Sequence, residues 1–407
     1  MKKKSLLVIM LSLFMSLNIV VSPVNAQMTE VPKKEIIKKE DPRKEGHQIN
    51  NSLDVEARSA LLIEPNTGKI LFEKNKDEQY APASVTKVMT MLLTMEAIDS
   101  GKLTLQDKVT VSENAKKMGG STMLLDTGEV RTLEELLKGV AIASGNDAAV
   151  ALGEYLGGSE DAFVELMNRR ANELGMNHTV FKNCTGLPID GHISTAYDIS
   201  LMSMELLKHP TVLKYTGTYM ETISEGRKSP IELVNHNKLV RFFTGCDGLK
   251  TGFTNDAKYC ISATATKNNI RMLSIIMGAP TYKIRNRDAS TLMNYGFSKF
   301  EYKNIIKKNS DIQKIIFNKK GDKFLIVKSK DDFSLPMERG VKCKIDKKVS
   351  IAKKKQYKQG EEIGNCEIYL NGKLCGKVKV YADRDLKVGN FLSNLKDNLS
   401  KIFDNSI

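Results

Sequence analysis

From residue 57 onward the apolar positions fall into short, punctuated runs. ARSALLIE and KILFEKN, residues 57–64 and 69–75, are separated by Pro65-Asn66-Thr67-Gly68. Two β-type runs across such a turn predict a hairpin. The period then changes. Val85, Val88, Met89, Leu92 and Met95 recur at helical spacing and predict a helix over residues 84–98. Further helices are predicted over 133–156, interrupted at Ser144-Gly145-Asn146, and over 161–174 and 195–208. Two strands at about 257–266 and 271–278 flank Lys267-Asn268-Asn269, and a helix over 287–296 closes the region. Strands at both ends with helices between them predict an α+β domain over residues 51–298, an antiparallel sheet covered by helices.

Beyond residue 298 the pattern is different. KFLIVKS, KKVSIAK, NCEIYL and KVKVYA alternate with Gly, Asp and Asn turns, which predicts a small β-rich domain over 299–384. In residues 385–407, Val388, Phe391, Leu392, Leu395, Leu399, Ile402 and Phe403 form an apolar stripe, with Lys387, Lys396 and Lys401 elsewhere on the turn. Such a stripe on a polar segment predicts a helix lying in a membrane interface, or one packed on its own domain or a partner. At the other end, Lys2-Lys3-Lys4, the apolar stretch Leu6 to Val21 and Val24-Asn25-Ala26 read as an export signal over residues 1–26. The rival is an uncleaved anchor; the Val-x-Ala ending favours cleavage. Residues 27–50, centred on KKEIIKKEDPRKEG, read as a charged linker. On either reading the body of the protein is expected outside the cytoplasm; with cleavage and the apolar tail, the expected location is peripheral, on the outer face of the cytoplasmic membrane.

Charge sharpens this organisation. The formal net charge is +14. Residues 299–383 carry 22 basic and 11 acidic side chains, so most of the excess sits in the β-rich domain. A basic module on an exported protein suggests an anionic membrane surface or wall polymers as partner, against the plainer reading of a solvated lysine-rich surface. Nucleic acid is not expected outside the cell, and no motif for reading it is present. Six cysteines without CxxC spacing do not make a disulfide scaffold. A two-residue turn at Asn371-Gly372 would pair Cys366 with Lys377 and Cys375 with Ile368, too far apart for a bridge, so free thiols are expected. Five scattered histidines lack zinc spacing. Neither a metal nor an organic cofactor is expected.

The candidate chemistry lies in three strings that stand in one order: Ser84-Val85-Thr86-Lys87, Ser144-Gly145-Asn146 and Lys250-Thr251-Gly252. Each alone has a plain explanation, as an N-cap with a solvated lysine, a capping loop and an edge-strand lysine. Together they outline one site. A serine hydroxyl is a weak nucleophile until a base takes its proton. Lys87, one helical turn on, can be that base if burial or a nearby cation such as Lys250 lowers its pKa. Ser144 and Asn146 offer a hydroxyl and a carboxamide to a cleft. Lys250 and Thr251 present a charge and a hydroxyl suited to a carboxylate, and Gly252 lets a substrate backbone approach.

These strings, together with TGLPIDGHISTAYDIS, DGLKTGFT, APTYKIRNRDASTLMNYGF and the appended β-domain and tail, resemble the low-molecular-mass penicillin-binding proteins. Within that group the chain resembles the serine D-alanyl-D-alanine carboxypeptidases similar to penicillin-binding protein 5. The resemblance implies a penicillin-binding/β-lactamase-like transpeptidase domain acting on peptidoglycan stem peptides and acylated by β-lactams. It implies Ser84 as nucleophile, Lys87 as base and Ser144 as relay to the leaving amine, with Asn146 on the substrate amide. Lys250 and Thr251, with Arg285, would hold the terminal carboxylate, and the N–H groups of Ser84 and Phe253 would form the oxyanion hole. Some relatives carry histidine where this chain has Phe253, and Arg287 competes with Arg285 for its position. His192 and Asp198 either line the cleft or satisfy a loop. A D,D-endopeptidase and a non-hydrolytic penicillin-binding sensor are the alternatives; a class A β-lactamase would need an additional deacylating glutamate, for which there is no candidate.

Overall fold

The computed structural model describes residues 53–223 and 229–388. Residues 1–26 and 27–50, expected from the sequence to be an export signal and a charged linker, lie outside the described residues. The larger domain is built on five antiparallel strands: β1 (Ser59–Glu64), β2 (Lys69–Lys74), β3 (Cys246–Thr254), β4 (Lys258–Lys267) and β5 (Ile270–Ala279), in the spatial order β2-β1-β5-β4-β3. The predicted β1–β2 and β4–β5 hairpins are both present. Asn268 and Asn269 take φ of 50° and 62°, the left-handed pair that a tight two-residue turn requires.

Helices cover both faces of this sheet: α1 (Lys87–Asp99), α2 (Asn146–Gly157), α3 (Glu160–Leu174), α4 (Ala196–Leu206) and α5 (Tyr282–Lys299). Two-sided cover explains why SALLIE reads as an unbroken apolar run. Leu61 and Ile63 enter one core with Val88, Met89 and Leu92 of α1, whereas Ala60 and Leu62 enter a second with Ala289, Leu292 and Met293 of α5. The helical pattern over 133–156 resolves into three pieces. Leu133–Lys138 starts on a Thr132/Glu135 capping box, Gly139–Ala143 forms one π-helical turn, and α2 follows the break. The π turn is what swings the chain out at Ser144.

In the β-rich domain, strands Asp311–Ile316, Phe324–Ser329, Lys373–Ala382, Glu362–Leu370 and Ile345–Ile351 form a second antiparallel sheet in that spatial order. Phe300–Ile306 pairs separately with Phe333–Glu338. All six cysteines are free, as expected, but the hairpin register differs. Cys366 faces Val378, not Lys377, because the ladder slips between Ile368 and Tyr369 and leaves Cys375 in the extra position. The start of the segment expected as a helix over 385–407 also differs. Leu386–Lys387 pairs with Gln356–Tyr357 and extends the β-domain, while residues 389–407 lie outside the described residues. Among the described residues, no helix is long and apolar enough to cross a membrane.

Candidate active site

Ser84 sits in a single 3₁₀ turn, Ala83–Thr86, that leads directly into α1. Its side chain caps neither helix. The turn is held from outside by close backbone packing. A Cβ at Gly252 would lie 2.9 Å from Pro82 O and 3.0 Å from Ser84 N, and one at Gly186 would collide with Ala83 O. Gly252 is therefore needed for β3 to lie against the turn that carries Ser84, an additional constraint beside the substrate approach read from the sequence.

Lys87, the first residue of α1, is fully buried, and three oxygens surround its Nζ: Ser84 Oγ at 3.0 Å, Asn146 Oδ1 at 2.6 Å and Thr185 O at 2.7 Å. Asn146 Nδ2 donates to Gly119 O at 2.6 Å, which fixes the amide so that Oδ1 faces the lysine. Asn146 Oδ1 and Thr185 O only accept. A neutral Lys87 amine has two N–H groups for them and one lone pair left, and the remaining neighbour is the Ser84 hydroxyl. Burial brings Lys87 down to about 7, against the opposing pulls of Cys184 and Asp147. The two lysine charges repel each other, but burial is the dominant cause of the lowering at both Lys87 and Lys250.

Ser144 follows the π turn with φ 61° and ψ 30°, a left-handed conformation for a non-glycine residue. Its Oγ has no hydrogen-bond partner among the described residues. The next residue but two, Asp147, is buried and accepts from Met123 N at 2.9 Å and Leu125 N at 3.1 Å. Asn146 N donates to Ser121 O at 2.7 Å. The start of α2 thus ties down the 119–125 loop that Asn146 also bonds.

Across the cleft, β3 is the sheet's edge strand. Lys250 and Thr251 are buried, and Lys250 Nζ donates to Thr251 O at 3.0 Å. Burial pushes Lys250 well below the ordinary lysine value, and the charges of Lys87 and Arg285 add to this. Arg285, one turn into α5, is also buried; burial lowers it to about 10, and it lies over the Tyr259 ring at 5.9 Å. Its side-chain bonds go to Asn286 Oδ1. Arg287 points elsewhere, to Glu56 at 2.7 Å and Asp288 at 2.8 Å, which separates the two arginines. Among the described residues neither Lys250 nor Arg285 has a carboxylate partner. Two buried cations without an anion make a receptor for one. Phe253 is half exposed and stacks on Tyr259, with centroids 4.3 Å apart.

His192 and Asp198 hold loops instead. His192 Nδ1 accepts from Lys182 N at 3.2 Å and Nε2 lies 2.8 Å from Thr86 Oγ1; burial drives the ring down to about 4. Asp198 accepts from His178 N and Thr179 Oγ1, both at 2.8 Å. Sequence reasoning missed Thr185, whose contribution is a backbone carbonyl, and Asp147, which looked like an ordinary first-turn acid. It also missed His236. Desolvation of its ring, followed by the charges of Lys250, Lys238, Arg285 and Lys87, pushes it down to about 4.

A helix-covered antiparallel sheet with a partly exposed serine on a buried lysine, at one side of an edge strand, is the arrangement of a serine acyl-transfer fold. The family described as D-alanyl-D-alanine carboxypeptidase matches residues 46–281, and that described as penicillin-binding protein 5, C-terminal domain, matches residues 300–388. The chain belongs to the D-alanyl-D-alanine carboxypeptidase family. It is 43% identical to D-alanyl-D-alanine carboxypeptidase DacF of Bacillus subtilis, over 87% of this chain and 92% of the relative. It is 32% identical to D-alanyl-D-alanine carboxypeptidase DacC of Escherichia coli, over 84% of this chain and 87% of the relative. Among solved structures, penicillin-binding protein 5 from Haemophilus influenzae superposes with a TM-score of 0.63 at 29% identity, covering 82% of this chain and 98% of that one.

Proposed function

We propose that the chain removes the terminal D-alanine from peptidoglycan stem peptides ending in D-Ala-D-Ala, through an acyl-enzyme on Ser84, and that β-lactams acylate the same serine. The observation that carries this reading is the arrangement at Lys87, whose two acceptor-only neighbours leave its lone pair for the Ser84 hydroxyl. Lys87 takes the hydroxyl proton as Oγ attacks the carbonyl carbon of the penultimate residue. The N–H groups of Ser84 and Phe253 receive the oxyanion, a contribution of roughly 3–4 kcal/mol per donor in comparable sites. On collapse the C–N bond breaks, and the proton passes from Lys87 through Ser144 Oγ to the departing amine. Water then attacks the ester carbonyl, Lys87 takes a proton from it and hands that proton to Ser84 Oγ as the acyl C–O bond breaks and the shortened peptide leaves. Asn146 serves twice, orienting Lys87 and meeting the substrate amide. Lys250, Thr251 and Arg285 hold the terminal carboxylate, whose charge matches the two buried cations.

The export signal and the amphipathic tail support a working place outside the cytoplasm, at the outer face of the membrane. The reading is tested with protein lacking residues 1–26, by D-alanine release from a pentapeptide ending in D-Ala-D-Ala. One D-alanine per peptide is expected, with Ser84→Ala inactive and no longer labelled by penicillin. Penicillin labelling that survives in folded Ser84→Ala removes the assignment. Labelling of the wild type without D-alanine release replaces it with a sensor.

A further inference from the structure

Along the sheet of the β-rich domain some lysines are paired, Lys328 with Asp311, Lys330 and Lys379 with Glu362, and Lys377 with Glu367, while Lys314 and Lys348 lie over the rings of Phe324 and Tyr369. One end of the sheet gathers lysines from several connections. Ile316 faces Phe324, Ile351 faces Gly364, and Glu362 faces Tyr381, so the connections 317–323 and 352–361 and the exit after 382 all emerge at the same end. Ring contacts hold them together: Phe317 lies 5.5 Å from Tyr357, and Arg384 sits over Phe324 at 4.6 Å. At this end Lys319, Lys320, Lys353, Lys355, Lys358 and Lys387 are exposed, and none is in an ion pair among the described residues. The acids there are fewer and already engaged. Glu361 takes Lys354, Asp383 takes Arg384, Asp385 accepts from Gln359 N, and Asp322, beside Lys320, accepts from Asn318 Nδ2.

The chain leaves the domain through the middle of this cluster. Val388 N donates to Lys355 O at 2.9 Å, and Lys387 pairs with Gln356. Side chains alternate along such a pair. Tyr357 is buried and Leu386 packs with it on the core, so Gln356 and Lys387 face solvent. Nineteen further residues follow, carrying the apolar stripe from Phe391 to Phe403.

We propose that this lysine collar is a docking surface for anionic lipid headgroups, seating the β-rich domain end-on against the membrane that the tail enters. The inference rests on the membrane attachment proposed above and adds a second, electrostatic component to it. A segment entering the interface at residue 389 brings residues 353–358 and 387 to the headgroups, where each lysine strengthens binding about fivefold. Anionic lipid is favoured over a wall polymer because the collar surrounds the origin of an apolar stripe, which a soluble polyanion has no means to cover.

The test uses chain 27–407 in three forms: wild type, Lys353→Glu/Lys355→Glu/Lys358→Glu, and Lys307→Glu/Lys308→Glu/Lys342→Glu. The last makes the same charge change at exposed positions outside the collar. Partitioning is measured on phosphatidylglycerol–phosphatidylcholine vesicles and on pure phosphatidylcholine vesicles, with and without soluble poly(glycerol phosphate). The collar variant is expected to lose at least about 100-fold on the anionic vesicles, the worth of three lysines before the added glutamate repulsion. The control variant should lose far less, and D-alanine release should be unchanged in all three. Equal losses in both variants reduce the effect to net charge and overturn the collar. No loss in the collar variant leaves the tail as sole anchor and also overturns it, while attachment stands. Full competition by the soluble polymer reassigns the surface to a wall polymer. If the wild type binds neither vesicle, attachment itself fails.

Discussion

The lone pair that Lys87 directs at Ser84 exists only in the neutral amine, so the acylation rate should follow the deprotonation of one buried lysine. With Lys87 at about 7, roughly half of the free enzyme is competent at pH 7 and roughly a tenth at pH 6. A solvated lysine near 10.4 would be neutral about once in 2,500 at pH 7, so burial raises the active fraction by about three orders of magnitude. The assay is stopped-flow acylation by a fluorescent penicillin from pH 5 to 9. The second-order rate constant should rise tenfold per pH unit below 7 and level off above it. An alkaline decline should follow as Lys250 loses the charge that holds the carboxylate. The stability linkage has a definite sign. Between about 7 and the unfolded value of 10.5 the unfolded chain holds a proton on this group that the folded one lacks, so its contribution to stability rises with pH across that window. An acylation rate that is flat from pH 5 to 9, or whose rise has its midpoint above 9, would refute the assignment of Lys87 as a base made available by burial.

Other outcomes follow from the same geometry. Arg285→Ala should raise KM for the D-Ala-D-Ala peptide by roughly 10- to 100-fold, the worth of one charged hydrogen bond, whereas Arg287→Ala should leave kcat/KM within about twofold. The reverse ranking in steady-state kinetics would exchange their roles. Gly252→Ala puts a methyl against Pro82 O and Ser84 N, so penicillin acylation should fall on the order of 100-fold while circular dichroism stays native. Unchanged acylation would mean that the turn yields without cost. Asp147→Ala should cost about 1–3 kcal/mol by urea unfolding, since buried N–H groups of Met123 and Leu125 lose their acceptor. A thiol reagent should modify Cys343 and Cys375 first in the native protein and reach all six cysteines only after unfolding. Rapid modification of Cys184 or Cys260 would contradict their burial.

Local pattern carried much of this protein. The spacing of Ser84 and Lys87 on one helical turn, the Asn-Asn hairpin between β4 and β5 and the break at Ser144 are all decided by neighbours in the chain, where period and turn chemistry act directly. A candidate nucleophile and a candidate base could be named from the sequence for the same reason. Properties that depend on what lies opposite were not. No string of residues shows that Thr185 O and Asn146 Oδ1 consume both N–H groups of Lys87, or that burial outweighs the Lys250 charge in lowering it. Arg285 and Arg287, two residues apart on one helix, could be told apart only once α5 was placed, because a rotation of about 200° sends one into the cleft and the other to Glu56. The slip at Cys375 and the strand at Leu386–Lys387 escaped the sequence because register is set by the partner strand and the core beneath it, not by the run of residues itself. Sequence determined which groups were available for chemistry. Tertiary packing decided their protonation, their hydrogen-bond partners and the face each one presents, since all three depend on solvent exclusion and on atoms distant in the chain.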